Sequence, residues 1–435
     1  MRYWIETLGC PKNLVDSEKL AGLLIAQGYA PAVAPEGADL VVANTCAFIE
    51  AARAESIETV LDLAERKRSD ARLVVTGCMA ERYGTELAEA LPEVDRVVGF
   101  GQSLTDSSPA ATPVALRPSV TSSFDLLNLP RPAANAPWAY LKIAEGCDRR
   151  CGFCAIPSFR GDQRSRSSED VLAEARTLVA DGVKEIVLIA QDLASWGHDR
   201  RRHDRGEPLE ALDHAHNQPL VELTRALARE VDRVRLLYLY PSGLTEELIG
   251  AIIETGVAYF DLSLQHASRP LLRAMRRWGD GARFLERIAR IRAAEPEAAF
   301  RSSFIVGYPG ETEDDQRALL DFLDEAQLDW AGFFTFSPEL GTHAYDLDET
   351  VNSELALERL RELSERQDAI TAARRDRLVG TRAKVLVDRI GIGRSYRECP
   401  EIDGVIIVDS SLSVGSMVDC DITASRGVDL VAVAR

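Results

Sequence analysis

The stretch Cys147-Asp148-Arg149-Arg150-Cys151-Gly152-Phe153-Cys154 carries three cysteines at the spacing CxxxCxxC. With 8 Cys in 435 residues, chance would give such a triple on the order of 0.003 times per chain. Three thiolates this close in sequence suit zinc or an iron–sulfur cluster, because both prefer soft sulfur ligands. A structural zinc ion needs a fourth ligand nearby, whereas the next histidine along the chain is His198. The pattern therefore favours a 4Fe–4S cluster with one open iron over zinc, and both over three packed structural thiols.

Length and composition limit the possible interpretations. A chain of 435 residues, of which 46% are hydrophobic, is expected to form two or three domains with sizeable cores. Its net charge of −18 argues against tight nonspecific binding to nucleic acid and suits a basic partner. The N-terminus lacks the apolar core of a signal peptide, and no apolar run reaches the roughly 18 residues of a membrane span. We therefore expect a cytoplasmic protein whose reduced cysteines serve as metal ligands.

The N-terminal part alternates short apolar runs with helical patterns, which predicts an open parallel α/β sheet with helices on both faces. Predicted strands are Tyr3–Leu8, Leu40–Ala43, Leu73–Thr76 and Arg96–Val98, and predicted helices lie near Val15–Gln27, Glu50–Arg68 and Glu81–Leu91. Cys10, Cys46 and Cys78 each follow one of the first three strands. Because ligands gather at the carboxyl ends of parallel strands, we expect these cysteines to converge as a second metal site. The alternative is three separate, buried structural cysteines.

Residues 138–370 repeat the alternation of strand and helix six times, which predicts a partial TIM-like (βα)6 barrel. The predicted strands are Tyr140–Ala144, Glu185–Ala190, Arg233–Tyr240, Phe260–Leu264, Phe300–Val306 and Trp330–Phe336. The CxxxCxxC stretch then falls in the loop after the first barrel strand, on the face where barrel enzymes place their chemistry. Before the barrel, residues 103–137 are rich in proline and small residues, which indicates a linker.

A charged helix near Ser353–Leu378 leads to a last segment that is predicted to be a small five-stranded β-barrel. Its predicted strands are Arg382–Ile390, Gly391–Glu398, Gly404–Val408, Met417–Ala424 and Leu430–Ala434. Small barrels of this kind often bind RNA, but seven basic and eight acidic residues after Leu378 leave no basic footprint. The sequence therefore supports RNA contact only weakly. The predicted organisation is 1–102, 103–137, 138–370 and 371–435.

Together these motifs resemble the radical S-adenosylmethionine methylthiotransferases along essentially the whole chain. The order of parts is the same: a three-cysteine α/β domain, a CxxxCxxC barrel and a terminal TRAM barrel. Within that family the chain is most similar to the members that modify an aspartate of the small-subunit ribosomal protein S-twelve. The segments that carry this resemblance are Thr7–Glu18, Asn44–Ile49, Leu141–Cys147, Ala155–Gly161 and Pro400–Gly404. Pro11-Lys12-Asn13 stands where the tRNA-modifying relatives usually have a Gln-Met-Asn run.

The resemblance implies two 4Fe–4S clusters and S-adenosylmethionine as cofactors. It assigns two sets of cluster ligands: Cys147, Cys151 and Cys154 for the cluster that binds S-adenosylmethionine, and Cys10, Cys46 and Cys78 for a second cluster that carries the sulfur. One S-adenosylmethionine would yield a 5′-deoxyadenosyl radical, and another would donate the methyl group. The implied product is a β-methylthio-aspartate in the ribosomal protein, and an electron donor and a sulfur source are the other implied partners. No catalytic residue is implied beyond the cluster ligands.

Four further residues are candidates for binding S-adenosylmethionine. Phe153 could pack on the adenine, or it could be an ordinary core aromatic. Gly307 opens a Gly-Tyr-Pro-Gly-Glu run that resembles the family's adenine-side motif, with a simple Pro-Gly turn as the alternative. Gln191, at a strand end, could bind the amino group, or the Gln191-Asp192 pair could only cap a helix. Arg301 could hold the carboxylate, or it could form a surface salt bridge.

Two other functions stay open at the level of sequence. The first, in the same enzyme class, is methylthiolation of a tRNA adenosine, although the near-neutral last domain and the Pro-Lys-Asn run argue against it. The second is a noncatalytic, zinc-bearing protein that binds RNA or the ribosome. Metal analysis distinguishes this last alternative from the two enzymes, because an enzyme of this family should hold roughly eight irons per chain, whereas the zinc-bearing protein should hold about one or two zinc ions.

Overall fold

The computed structural model describes residues 1–106, 125–200 and 217–435. Within them the strands are β1 Arg2–Thr7, β2 Ala30–Pro31, β3 Leu40–Thr45, β4 Arg72–Gly77, β5 Arg96–Val97, β6 Trp138–Lys142, β7 Ala144–Glu145, β8 Arg164–Ser165, β9 Glu185–Ile189, β10 Arg233–Leu236, β11 Tyr259–Gln265, β12 Ala299–Val306, β13 Trp330–Thr335, β14 Arg382–Arg389, β15 Ile392–Arg394, β16 Ile406–Ile407, β17 Met417–Arg426 and β18 Asp429–Ala434. The α-helices are α1 Pro11–Ala26, α2 Glu50–Arg66, α3 Cys78–Ala90, α4 Ile156–Arg160, α5 Ser168–Ala180, α6 Gln218–Leu227, α7 Glu246–Glu254, α8 Arg269–Ala274, α9 Gly281–Ala294, α10 Glu313–Ala326 and α11 Ser353–Asp376. Short 3-10 turns lie at Pro35–Gly37, Leu126–Asn128, Leu193–Ser195, Pro241–Gly243 and His343–Asp346.

The N-terminal unit is a five-stranded sheet with the order β2-β1-β3-β4-β5, and its strand pairs are parallel. Every residue of the central strand β3 is buried, as expected for a parallel sheet that is covered on both faces. Alternate side chains enter different apolar clusters: Val41 and Val75 pack on one face, and Leu40 and Val74 pack on the other. The predicted parallel α/β sheet is confirmed.

The central unit is a partial barrel of six parallel strands in two sheets, β10-β9-β6 and β11-β12-β13. An isolated parallel bridge between Leu239 and Leu262 joins the two sheets. Since the strands are parallel, their carboxyl ends form one rim, and the CxxxCxxC loop follows β6 and β7 at that rim. The predicted six-stranded barrel is confirmed.

The C-terminal unit is a closed barrel with the order β14-β15-β16-β18-β17, which confirms the predicted five-stranded barrel. Its core includes Val385, Ile406, Cys420 and Leu430. Helix α11 connects it to the central barrel, and residue 370, the predicted domain boundary, lies inside this helix.

The segment between β15 and β16 packs into the amino end of the central barrel. Trp330 Nε1 donates a hydrogen bond to the carbonyl oxygen of Arg397 at 2.9 Å, and Tyr140 Oη donates to that of Pro400 at 3.0 Å. Cys399 is fully buried between these contacts. The C-terminal unit therefore fills the end of the barrel opposite the CxxxCxxC loop.

The predicted linker, residues 103–137, lies partly outside the described residues, because these omit 107–124. At its two described ends, Leu104 and Leu126 pack into the core of the N-terminal unit. Arg131 donates to the carbonyl oxygen of Tyr140, in the first barrel strand, at 2.7 Å. These ends are thus packed against both units.

None of the helices in the described ranges combines the length and apolarity that crossing a bilayer requires.

Candidate functional site

Three cysteines lie at the carboxyl edge of the N-terminal sheet. Cys10 directly precedes α1, Cys46 follows β3, and Cys78 begins α3. Gly9 and Gly77 immediately precede two of them and have positive φ angles of 90° and 93°, which glycine reaches without steric cost. A Cβ atom on Gly9 would lie 2.7 Å from Cβ of Cys46 and 2.8 Å from its Sγ. Glycine therefore allows the Cys10 loop to lie directly against Cys46.

Asn13, which is fully buried, ties these loops together. Its side-chain nitrogen donates to the carbonyl oxygens of Leu8 at 2.8 Å and Thr45 at 3.1 Å. Its Oδ1 accepts from the Cys78 thiol at 3.5 Å. Asn44 in turn donates to the carbonyl oxygen of Asn13 at 2.8 Å. One buried amide thus fixes the relative positions of all three strand ends.

The three cysteines of this first group interact electrostatically; Cys46 and Cys78 are buried and Cys10 is partly buried. Burial raises the pKa of Cys46, and it raises the pKa of Cys78 to about 12. The charge of Cys10 adds to both shifts, and that of Cys46 adds to the shift of Cys78. Buried thiols of this kind keep their protons until a metal or a cation stabilises the thiolate. We refer to Cys10, Cys46 and Cys78 as the sheet-edge cysteines.

Main-chain hydrogen bonds hold the CxxxCxxC loop on the barrel. The N–H of Gly152 donates to the carbonyl oxygen of Met275, and the N–H of Ala344 donates to that of Gly152, each at 2.8 Å. A Cβ atom on Gly152 would lie 2.9 Å from Oη of Tyr308. That hydroxyl donates to the carbonyl oxygen of Ala274 at 3.0 Å. The protein therefore fixes the path of the loop from two sides.

The loop cysteines Cys147, Cys151 and Cys154 also lie close together. Burial raises the pKa of Cys147, and it raises the pKa of Cys154 to about 12, with a further contribution from Cys151 in each case. Nη1 of Arg277 lies 3.3 Å from Sγ of Cys151. Arg277 therefore places a positive charge beside one sulfur of the loop.

Arg160 connects the two cysteine groups. It ends α4, the short helix that follows the CxxxCxxC loop. Its Nη2 donates to Sγ of Cys78 at 3.0 Å and to Oδ1 of Asn13 at 2.7 Å. Its Nη1 donates to Oε2 of Glu145 at 2.9 Å and to Oδ2 of Asp16 at 2.8 Å. A single guanidinium therefore joins the segment around the loop cysteines to a sheet-edge cysteine.

Lys142 extends this ionic network. It is fully buried on β6, its Nζ lies 2.5 Å from Oδ1 of Asp16, and it also pairs with Glu145. Burial would raise the pKa of Glu145, but Arg160 and Lys142 outweigh it and hold that pKa at about 2. The interface between the N-terminal unit and the barrel is therefore ionic and closed to solvent at this point.

A second ionic contact joins the same two units at the rim. Oε2 of Glu339 lies 2.7 Å from Nη1 of Arg53 on α2 and 2.6 Å from Nη1 of Arg82 on α3. Glu339 is only 2% exposed. The segment after β13 is thus anchored to two helices of the N-terminal unit.

Lys12 lies in the first turn of α1, close to Cys10 and to Tyr238 of the barrel. It is 9% exposed, and its Nζ lies 3.0 Å from the centroid of the Tyr238 ring. Burial lowers the pKa of Lys12 to about 8, while the charges of Cys10 and Asp261 oppose that shift. Tyr238 itself has a positive φ of 61°, which is uncommon for a bulky residue.

Gln191 lies beside the CxxxCxxC loop. Its Nε2 donates to Oε1 of Glu145 at 2.6 Å, and its Oε1 is buried without a hydrogen-bond partner among the described residues. Asp192 accepts from Nε of Arg149 at 2.5 Å through Oδ2, and its buried Oδ1 likewise lacks a described partner. After burial, the charge of Asp192 is the next largest cause of the raised pKa of Cys147. Two buried acceptors without donors are suited to an ammonium ligand.

Two other candidate residues border the loop. Phe153 is partly buried against the barrel core. Gly307 has a positive φ of 78°, and its N–H and that of Tyr308 both donate to the carboxylate of Glu311. Because Tyr308 touches Gly152, the Gly-Tyr-Pro-Gly-Glu run supports the CxxxCxxC loop directly.

Arg301 is placed deeper in the barrel. It forms ion pairs with Oδ1 of Asp261 at 3.2 Å and with Oδ1 of Asp403 at 3.5 Å. Asp403 belongs to the segment that fills the amino end of the barrel. The salt bridge considered from the sequence is therefore present, but it is buried rather than at the surface.

Family models match three parts of the chain. Residues 2–99 match "Uncharacterized protein family UPF0004", residues 141–323 match the "Radical SAM superfamily", and residues 379–434 match the "TRAM domain".

Curated relatives match nearly the whole chain. It is 43% identical to "Ribosomal protein uS12 methylthiotransferase RimO" of Moorella thermoacetica, over 97% of this chain and 96% of that protein. It is 41% identical to the protein of the same name from Chloroflexus aurantiacus, over 99% of both chains. The chain belongs to the RimO methylthiotransferase family. The RimO assignment agrees with the sequence resemblance in all three units.

Solved structures similar to this RimO-family chain share its fold. The structure of the radical S-adenosylmethionine methyltransferase TsrM from Kitasatospora setae, with tryptophan substrate and aza-SAM bound, has a TM-score of 0.56 and covers 95% of this chain and 81% of that chain. The TsrM structure with cobalamin and an iron–sulfur cluster has a TM-score of 0.51 and covers 95% of this chain and 80% of that chain. At 14% and 13% sequence identity, these likenesses concern the fold alone.

The thiol-rich donor set of this RimO-family chain is compatible with an iron–sulfur cluster. In the part of the chain that the structure describes, no three His, Cys, Asp or Glu side chains are arranged to hold a metal ion. A cluster makes a different demand, because each thiolate binds a different iron and the sulfurs stand around the cluster. Both cysteine groups are mutually interacting, and each has a guanidinium beside one sulfur. An iron–sulfur cluster and S-adenosylmethionine are the cofactors of the radical SAM superfamily, to which the barrel belongs.

Four residues near the two cysteine groups were not predicted as site residues from the sequence: Lys12, Asn13, Arg160 and Glu339. Lys12 and Asn13 had been named only as part of the Pro-Lys-Asn run that differs from the tRNA-modifying relatives. For Arg160 a signal was available, since it is the one charged residue in the run Ala155–Gly161, directly after the cysteines. Asn13 and Lys12 also stand within three residues of Cys10. Glu339 has no comparable signal, because its partners Arg53 and Arg82 are distant in sequence.

Proposed function

We propose that this protein transfers a methylthio group to the β-carbon of an aspartate in ribosomal protein uS12. The observation that carries the proposal is the 43% identity, over 97% of the chain, to a protein named for this reaction. The site supports it, because Arg160, which follows the loop cysteines in the chain, contacts the sheet-edge cysteine Cys78. The net charge of −18 also suits a basic ribosomal protein as substrate.

The proposal includes two 4Fe–4S clusters. Their ligands are the loop cysteines Cys147, Cys151 and Cys154 for one, and the sheet-edge cysteines Cys10, Cys46 and Cys78 for the other. When bound, the clusters and S-adenosylmethionine supply the radical that opens an unactivated C–H bond and the sulfur that is inserted. Arg277 beside Cys151 and Arg160 beside Cys78 offset the negative charge of the thiolates.

Binding of S-adenosylmethionine is assigned to residues around the CxxxCxxC loop. Gln191 and Asp192 offer buried acceptor atoms to its amino group. Phe153 and Gly307 are proposed to border its adenine. Arg301 stays a predicted ligand of its carboxylate, and this role requires the guanidinium to exchange one of its two carboxylate partners.

The remaining contribution of the chain is to position and enclose the reaction. Ion pairs among Asp16, Lys142, Glu145 and Arg160 keep water out of one side of the interface. Glu339 closes the rim through Arg53 and Arg82. We propose domains 1–102, 138–370 and 371–435 with a linker at 103–137, a cytoplasmic location, and an electron donor and a sulfur source as further partners.

The test is intact-mass analysis of uS12 after incubation with anaerobically reconstituted enzyme, reductant, sulfide and S-adenosylmethionine. The expected result is a gain of one SCH2 unit that fragmentation locates on an aspartate. If the enzyme methylthiolates a tRNA adenosine and leaves uS12 unmodified, the proposed substrate is wrong. If the protein binds zinc in place of roughly eight irons per chain, the proposed iron–sulfur chemistry is wrong.

Two cysteine variants separate the roles of the two clusters. Cys151→Ala is expected to abolish 5′-deoxyadenosine formation. Cys46→Ala is expected to retain 5′-deoxyadenosine formation but to stop sulfur insertion. Wild-type methylthiolation by Cys46→Ala would remove the second cluster from the proposal.

A further inference from the structure

Lys12 is a buried cation without a protein partner in the described residues. Its side chain is 9% exposed and contacts the face of Tyr238, but it forms no hydrogen bond or ion pair with any described residue. The Nζ atom is not among the fully buried polar atoms that lack a partner, so it is accessible from the space beside it. An accessible ammonium on a largely buried side chain is suited to pairing with a bound anion.

The other buried lysines of this region show the contrast. Nζ of Lys19 donates to the carbonyl oxygen of Leu129 at 2.8 Å and pairs with Glu174 at 3.1 Å. Lys142 pairs with Asp16 at 2.5 Å. Both lysines are fully buried. Burial of a lysine in this protein is therefore normally matched by a carboxylate.

The protein carboxylate that acts on Lys12 is engaged elsewhere. Asp261 accepts from the backbone N–H of Tyr238 at 2.9 Å through Oδ2, and it pairs with Arg301 at 3.2 Å through Oδ1. The other charged groups with the largest effect on Lys12 are Cys10, Arg160 and Lys142. Arg160 and Lys142 are both paired with Asp16. Cys10 is therefore the nearby group of opposite charge whose position identifies the side of the site on which the ammonium lies.

We propose that the ammonium of Lys12 binds the carboxylate of the side chain that is modified, and that it thereby selects an acidic residue as substrate. This inference rests on the proposed function. A charge-assisted hydrogen bond from a buried ammonium would orient the carboxylate, and the Tyr238 ring holds the ammonium in place from one face. The target carbon would then lie on the side of the sheet-edge cysteines, where sulfur is to be supplied.

S-adenosylmethionine also carries a carboxylate, so the location of Lys12 matters. Lys12 lies two residues from Cys10. Among the cysteines, Cys10 is the one whose charge contributes most to the electrostatics of Lys12. The position therefore favours the substrate carboxylate.

The test compares Lys12→Met and Lys12→Arg with the wild type on two forms of uS12, one with the target aspartate and one with asparagine in its place. For the aspartate form, kcat/KM of Lys12→Met is expected to fall about 10- to 100-fold. The kcat/KM of Lys12→Met for the asparagine form is expected to change little. The ratio of kcat/KM for the aspartate form to that for the asparagine form is therefore expected to fall. Lys12→Arg, which keeps the charge, is expected to retain most of the preference.

Two measurements do not depend on turnover. The Kd of the unreduced, cluster-loaded enzyme for the aspartate form is expected to rise by the same factor in Lys12→Met. The melting temperature of Lys12→Met is expected to stay equal or to rise, because an unpaired buried charge is replaced by an apolar side chain.

Each contrary result is distinct. If the wild type does not modify uS12, the proposed function fails. If the wild type modifies uS12 and Lys12→Met keeps the preference for aspartate, this inference alone fails. Weaker S-adenosylmethionine binding with unchanged uS12 binding would assign Lys12 to the cofactor, and loss of iron from Lys12→Met would assign it to the cluster; either result overturns the inference.

Discussion

Nη2 of Arg160 lies 3.0 Å from Sγ of Cys78, although 82 residues separate them in sequence. Cys78 belongs to the edge of the N-terminal sheet, whereas Arg160 ends the helix that follows the CxxxCxxC loop. The same guanidinium binds the carboxylates of Asp16 and Glu145. Arg160 therefore contributes directly to the relative position of the two cysteine groups.

Arg160→Met is expected to lower the free energy of unfolding by about 3–5 kcal/mol, because it leaves two buried carboxylates with one cation fewer. Arg160→Lys is expected to recover part of this loss, since it restores the charge but not the fork of donors. Denaturant unfolding of the purified variants measures the effect. Arg164→Met is the control, because Arg164 is 57% exposed in its pair with Asp125 and such pairs contribute about 0–1 kcal/mol. Equal stabilities of Arg160→Met and Arg164→Met would contradict the assignment.

The sequence predicted those features that depend on local pattern. The spacing of Cys147, Cys151 and Cys154 predicted one group of cysteines. The positions of the other three at strand ends predicted a second group, because parallel strands bring their carboxyl ends together. The contact between Arg160 and Cys78 could not be predicted in this way, since it depends on how two units dock.

Arg301 illustrates the same limit. Its position on a barrel strand suggested that Arg301 binds the carboxylate of S-adenosylmethionine. In the structure its guanidinium forms ion pairs with Asp261 and Asp403. Asp403 reaches it from the segment between β15 and β16. No periodicity within the barrel encodes a contact with a segment that enters from another domain.

Gly77→Ala is expected to disrupt the sheet-edge cysteines. Gly77 has φ 93° and ψ −162°, a region that is essentially restricted to glycine, and other residues there cost about 1–3 kcal/mol. An added Cβ would also lie 2.6 Å from the carbonyl oxygen of Thr45 and 2.7 Å from its nitrogen. The expected result is a loss of about half of the iron in reconstituted protein, measured by metal analysis.

The matched control for Gly77→Ala is Gly28→Ala. Gly28 has a φ of 86°, but apart from its chain neighbours no heavy atom of the described residues lies within 4 Å of the position of its Cβ. The positive φ is expected to destabilise this variant by about 1–2 kcal/mol, but the added Cβ causes no clash. The variant is expected to keep its full iron content. Equal iron in both variants would show that the Cys78 loop tolerates a side chain before the cysteine.

Glu339→Gln is expected to loosen the rim between the N-terminal unit and the barrel. The buried carboxylate pairs with Arg53 and Arg82, and replacing a charged acceptor by a neutral one costs about 1.5–3 kcal/mol. Hydrogen exchange of α2 and α3 should become faster. Glu36→Gln is the control, since Glu36 and its partner Arg66 are both exposed, and no measurable change is expected there. Unchanged exchange in Glu339→Gln would show that the rim does not depend on this carboxylate.

His266 makes stability depend on pH in the acidic range. It is fully buried, its Nδ1 accepts from the N–H of Ser268 at 3.0 Å, and burial lowers its pKa to about 4 from the ordinary 6.5. Between these values the unfolded chain binds a proton that the folded chain does not, so the folded state loses stability as the pH falls below about 6.5. The contribution amounts to about 2 kcal/mol at pH 5 relative to neutral pH. His266→Asn can keep the acceptor for Ser268 but has no titrating group, so its free energy of unfolding should fall less between pH 7 and pH 5. Denaturant titrations of both proteins at the two pH values give the difference, and parallel losses in the two would place the acid sensitivity in other groups.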